Sequence, residues 1–199
     1  MPLDLPLTPV TLTGRLVRLE PMSLDHLPGL QEASADGEMW NRWYTSVARP
    51  QDMEAQVRDR LSMQDQGTMV PFTALRQSDD QVLGVTTFYD IDPKVPRLSI
   101  GYTWNRASTH GTGTNPESKL LLLTHAFETL GAQCVRFETS WSNQQSRQAI
   151  ERLGARCDGV LRADRLERTG DLRDTVVYSI LAHEWPSART GLEHRLERR

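Results

Sequence analysis

Three strand-like runs follow one another between residues 68 and 104 with no helical pattern between them. Thr68–Arg76 and Val82–Tyr89 are separated only by the polar turn Gln77–Gln81. In the third, Arg97–Trp104, the residues Leu98, Ile100, Tyr102 and Trp104 alternate onto one face. The rhythm then changes. A helix over Pro116–Leu130 is stopped by Gly131, and the strand Cys134–Trp141 alternates Val135, Phe137, Thr139 and Trp141. A second helix over Asn143–Leu153 is stopped by Gly154. Two more strands, Val160–Glu167 and Arg173–Leu181, are joined by Thr169-Gly170-Asp171. Consecutive strands leading into a strand–helix–strand unit predict an α/β (α+β) fold, a mixed sheet with helices on both faces.

The N-terminal part supplies one strand and two helices. Val10–Glu20 is expected as a strand closed by Pro21. Ser23 is positioned to cap a short helix carrying Leu24, Leu27 and Leu30. Arg49–Gln66 repeats Met53, Val57 and Leu61 at helical spacing and stops at Gly67. Residues 1–183 are therefore expected to form one domain, and 184–199 a charged, solvated helical tail. Hydrophobic residues at 38% and charged residues at 25% are enough for a core and a solvated surface. A net charge of -3 gives no basic field, which argues against nucleic acid as a partner. The start of the chain has no basic region before an apolar run, and the longest apolar block is Leu120–Leu123. No leader and no membrane span are expected, so the compartment expected is the cytoplasm. Cys134 and Cys157 lack metal-type spacing and are expected reduced and buried. His26, His183 and His194 form no local cluster, and no metal is expected.

The richest local signal is His110-Gly111-Thr112-Gly113-Thr114-Asn115-Pro116. Asn115 suits a helix cap and Pro116 the first helical position. Two glycines just upstream allow a tight turn and close approach to a ligand. Successive N–H groups and the helix dipole then face one point, an anion site suited to phosphate or pyrophosphate. Lys119, one turn on, would add a point charge. An ordinary turn before a capped helix accounts for the same residues. Neither a Walker A loop nor a dinucleotide fingerprint is present.

A second segment bears on the choice. Ser140-Trp141-Ser142-Asn143-Gln144-Gln145-Ser146 follows a strand directly, and Ala149, Ile150 and Leu153 form an apolar stripe behind it. Asn143 caps the helix, and Ser146 projects near the carboxyl end of the preceding strand, where ligands bind in mixed sheets. Taken together, Leu98-Ser99-Ile100-Gly101-Tyr102, the glycine turn, Asn143-x-x-Ser146 and Leu153-Gly154-Ala155 resemble the GNAT N-acetyltransferase superfamily. Within it they most resemble the ribosomal-protein (RimJ/RimL-like) branch. The resemblance spans about Leu12–Leu181. It implies a mostly antiparallel sheet of about seven strands with a splayed, cofactor-binding strand pair.

The resemblance further implies acetyl-CoA as co-substrate, its pyrophosphate gripped by backbone N–H groups of His110, Gly111, Thr112, Gly113, Thr114 and Asn115. His110 and Asn115 depart from the family loop. The strand end Thr103, Trp104 and Asn105 is implied to pair with the pantetheine, with Asn143 and Lys119 also on the cofactor side. Ile150 stands where many members carry a tyrosine acid, which leaves Ser146 as the implied donor to the departing sulfur. Ser99 stands where members often carry a glutamate. The base is unassigned among Glu138, Asp164 and water. Trp43 and Tyr44 resemble the aromatic substrate-side loop. The acceptor implied is a primary amine, on a protein N-terminus or a small molecule. A homodimer is the default expectation for a small enzyme. A transferase using another acyl-CoA, or a non-catalytic coenzyme A sensor, stands as the alternative.

Overall fold

Every expected strand run joins one sheet, and the computed structural model describes residues 3, 7–41, 45 and 47–198 of the chain. The strands are β1 (Leu12–Thr13), β2 (Val17–Pro21), β3 (Met69–Arg76), β4 (Val82–Asp92), β5 (Arg97–Asn105), β6 (Cys134–Ser140), β7 (Arg156–Leu166) and β8 (Leu172–Leu181). Their spatial order is β1-β2-β3-β4-β5-β6-β8-β7. All neighbours are antiparallel except β5 and β6, which are parallel. The single strand expected over Val10–Glu20 is in fact a tight hairpin, β1–β2, closed by a Gly14 N–H to Val17 carbonyl bond of 2.9 Å. That break raises the strand number to eight.

Helices cover both faces. On one side lie α1 (Leu27–Ala35) and α2 (Met53–Asp65), whose Leu30, Met53 and Val57 pack with Val82, Val85 and Trp104. Ser23 caps the turn before α1 as expected, its hydroxyl accepting from the Asp25 N–H at 2.9 Å. On the other side lie α3 (Thr114–Thr124), α4 (Gln144–Glu151) and α5 (Trp185–Glu197). Leu122, Leu123, Ile150 and Trp185 there pack with Val17, Leu19, Phe72, Phe88, Leu98 and Ile100. Phe72 and Phe88 meet edge to face at 5.6 Å. Burial of such a side chain contributes about 1.5–3 kcal/mol.

Two expectations about burial fail. The C-terminal segment is no solvated tail, because Trp185 and Leu192 sit in the core and Trp185 stacks on Phe127 at 5.4 Å. Cys157 is exposed, since β7 is the outer strand of the sheet, while Cys134 is half-buried. Among the described residues no helix is long and apolar enough to cross a membrane.

Candidate active site

Strands β5 and β6 pair at only three positions, Arg97 with Cys134, Leu98 with Val135 and Ser99 with Arg136. Beyond Ser99 the two part, while β5 continues to Asn105 and β6 to Ser140. Their outer neighbours explain the parting. β4 holds β5 through Gly84–Asn105, and β8 holds β6 through Ser140–Thr175, so each strand follows a different partner. The opening presents unpaired strand backbone, which suits a ligand with amide groups of its own.

Beside the opening β5 is irregular. Val85 pairs with Trp104 and Thr87 with Gly101, so Thr86 alone faces two residues, Tyr102 and Thr103. This is a β-bulge, and Tyr102 takes a φ of 50°, in the left-handed region. The bulge corrects the alternation expected from the sequence. Leu98 and Ile100 point to the α3 side, but Trp104 joins the α1–α2 side and Tyr102 is exposed.

The glycine turn leads into α3, but its cap is not Asn115. Gly113, at a φ of 94°, is the capping residue, Thr114 opens the helix and Pro116 is its third residue. Asn115 Oδ1 is buried without a partner. Pro116 has no N–H, and the Glu117 N–H returns to the Gly113 carbonyl at 3.0 Å. The N–H groups of Thr114 and Asn115 have no acceptor within the helix. His110, Gly111 and Thr112 are exposed beside them. Gly111 has a φ of 82°, and a Cβ there would meet nothing within 4 Å, so conformation and not packing calls for glycine.

Lys119 turns away from this turn. Its Nζ lies 2.9 Å from Thr86 Oγ1 and 2.7 Å from Thr103 Oγ1, and those hydroxyls are 2.9 Å apart. Burial lowers its pKa to about 7. On the opposite face Arg60, buried on α2, stacks over the Tyr102 ring at 5.4 Å and donates to Thr87 Oγ1 at 3.4 Å. Burial lowers its pKa to about 10, with the charges of Tyr102 and Asp59 opposing. Tyr89 meets Tyr102 edge on at 5.0 Å, and burial, followed by Glu138, raises its hydroxyl pKa.

On the far side of the opening Asn143 caps α4, its Oδ1 accepting from the Ser146 N–H at 3.0 Å. Ser146 is half-buried, and its hydroxyl has no hydrogen-bond partner among the described residues. Arg147 stacks over Trp141 at 4.2 Å and donates to Tyr178 Oη at 3.2 Å. Ile150 is buried in the core. Ser99 is buried and donates to Asp90 Oδ2 at 3.4 Å. Glu138 is held by Arg165 at 2.6 Å, and the same Arg165 lies 3.2 Å from Asp164. Trp43 and Tyr44 lie outside the described residues.

Three features escaped the sequence reading. Arg60 shows only as a polar residue on a helical period, and nothing local marks the bulge at Tyr102. Glu117 looks like an ordinary first-turn acid. Its carboxylate in fact accepts the N–H groups of Arg15, Leu16 and Val17 at 3.1, 2.6 and 2.8 Å, tying the β1–β2 hairpin to α3.

Comparison with known proteins follows the same lines. The acetyltransferase (GNAT) domain family matches residues 16–156. A Bacillus subtilis (strain 168) protein, "Putative ribosomal N-acetyltransferase YdaF", is 32% identical over 107 residues, which cover 54% of this chain and 57% of that protein. The chain thus spans little more than half the length of this curated relative. A solved acetyltransferase structure from T. thermophilus is 35% identical with a TM-score of 0.83, covering 96% of this chain and 98% of that one. RimJ of Mycobacterium smegmatis, solved in complex with CoA-disulfide, shares the fold at a TM-score of 0.78 and 22% identity, covering 98% and 97%. With a parted parallel strand pair, a glycine-capped helix at its mouth and a family match over most of its length, the chain belongs to the GNAT acetyltransferase family.

Proposed function

We propose that the chain transfers an acetyl group from acetyl-CoA to a primary amine, on a protein N-terminus or a small molecule. The observation that carries this reading is the parting of β5 and β6 beyond Ser99 and Arg136, with the α3 start and Ser146 beside it. The names of the ribosomal N-acetyltransferase relative and of the RimJ structure with CoA-disulfide support the acceptor and the cofactor.

The residues present fit coenzyme A. Gly111 and Gly113 hold left-handed turns that leave the backbone N–H groups of Gly113, Thr114 and Asn115 free of side-chain cover for a pyrophosphate. Thr112 and Thr114 hydroxyls, 3.1 Å apart, stand beside them. His110 contributes backbone and an exposed ring. The edges of β5 at Thr103–Asn105 would take the pantetheine amides. When bound, acetyl-CoA supplies the acetyl group as a thioester; the amine nitrogen forms a bond to the carbonyl carbon, the C–S bond breaks, and the amine proton ends on sulfur or solvent.

The chain's own part is to place and polarise. The bulged backbone at Tyr102–Thr103 offers N–H donors where carbonyl charge develops. Asn143 fixes the first turn of α4, which sets the direction of the Ser146 hydroxyl toward the departing sulfur. Trp43 and Tyr44 are proposed for the acceptor side.

Acetyl-CoA is expected to raise the melting temperature and to release free thiol when an amine or N-terminal peptide is added. Stabilisation without thiol release from any amine would favour a non-catalytic coenzyme A sensor, the reading favoured by Ile150, whose burial leaves no acid at that place.

A further inference from the structure

The bulge in β5 lies between two buried cations, one on each face of the sheet. Lys119 Nζ, from α3, donates to Thr86 and Thr103. Arg60, from α2, covers Tyr102 and donates to Thr87. Thr86, Thr87, Tyr102 and Thr103 are the residues that form or border the irregular register. Both cations are almost fully buried, Arg60 at 5% and Lys119 at 6% exposure.

Neither has a carboxylate partner among the described residues. The acids that flank the strand pair are engaged elsewhere, Asp90 with Arg97 at 3.5 Å and Glu138 with Arg165 at 2.6 Å. Hydroxyl groups and an aromatic face satisfy donors but do not neutralise charge. A buried charge in that condition costs stability, and an apolar side chain of similar size would serve packing better. A fixed charge in a dry site does act strongly on charge that develops next to it, with little reorganisation.

We propose that Arg60 and Lys119 are positioning residues that brace the bulge from both faces and impose a positive potential favouring negative charge on the reacting thioester. The potential acts on the carbonyl oxygen during attack and on sulfur as it leaves. No bond forms to either cation and neither takes the amine proton, so the balance of the transfer is unchanged. This rests on the acyl-transfer reading above.

Two readouts test it on the whole chain, in Lys119→Met, Lys119→Arg, Arg60→Met, Arg60→Lys and the exposed control Arg58→Met. The first is the pH titration of the thiol of bound coenzyme A, followed by thiolate absorbance; it needs no acceptor. In wild type the bound thiol is expected to titrate below the free thiol. Each Met variant should raise that midpoint, so that the thiolate fraction on the rising limb falls about threefold. The second is the split between kcat and KM. Each Met variant should lose about tenfold in kcat with KM for acetyl-CoA nearly unchanged. The Arg and Lys exchanges should recover part of both effects, and the control should match wild type.

The melting temperature of the Met variants should hold or rise, a combination that a purely structural role does not produce. A bound thiol that titrates as in wild type in both Met variants overturns the proposal, whatever kcat does. If a Met variant does not fold, Lys119→Gln and Arg60→Gln are read by the same titration. Absence of thiol release from any amine in wild type would defeat acyl transfer alone and leave the titration to decide this point. Failure of wild type to bind coenzyme A defeats both.

Discussion

Lys119 Nζ lies 2.7 Å from Thr103 Oγ1, so the lysine one turn into α3 serves the sheet and not the glycine turn at the helix start. Its depressed pKa has a thermodynamic consequence. The folded value is about 7, against about 10.4 for a free lysine, so between those values the unfolded chain holds more protons. Stability therefore rises with pH across that window, and the full penalty applies below about 7. The melting-temperature gain of Lys119→Met over wild type should be largest near pH 6 and shrink toward pH 10. A pH-independent difference would mean that the lysine does not titrate in that window.

Gly113→Val is expected to abolish binding of acetyl-CoA. The capping residue has a φ of 94°, which a β-branched residue resists, and its side chain would cover the amides of the turn. The check is loss of acetyl-CoA-induced stabilisation in a variant that still shows a cooperative melt. Wild-type affinity in that variant contradicts the cradle.

Ser146→Ala should lower kcat by about a hundredfold and leave affinity for acetyl-CoA nearly intact, as expected for a proton donor. Its hydroxyl makes no hydrogen bond that the substitution would break, so the melting temperature should hold. Unchanged turnover removes Ser146 from the mechanism.

Glu117→Ala should cost about 2–4 kcal/mol, because it leaves the N–H groups of Arg15, Leu16 and Val17 buried without their acceptor. Urea unfolding gives the cost. Hydrogen exchange should show protection lost first at those three amides. Gly14→Ala should act on the same joint, since a Cβ there would come within 2.6 Å of Glu117 Oε2.

The two cysteines should separate by reactivity. A thiol reagent is expected to modify exposed Cys157 first, while burial raises the pKa of half-buried Cys134 and slows it. Mass analysis of a timed reaction at neutral pH distinguishes one fast site from two equal ones.

The sequence by itself determined the order of elements, because alternation, helical period and glycine stops are local properties of the chain. The strand runs, the Ser23 and Asn143 caps and the stops at Gly67 and Gly131 all stand where residue type places them. It also determined the tight turn before α3, since two glycines there permit the left-handed backbone that other residues resist. Only the tertiary structure decided where β5 and β6 part, because that depends on the outer partners β4 and β8. Packing alone moved the α3 cap from Asn115 to Gly113 and broke the alternation of β5 at Tyr102, since a bulge is set by register against a neighbour. Lys119 makes the same point most directly. A flexible side chain goes where distant residues leave it a place, and Thr86 and Thr103 lie 33 and 16 residues away in sequence.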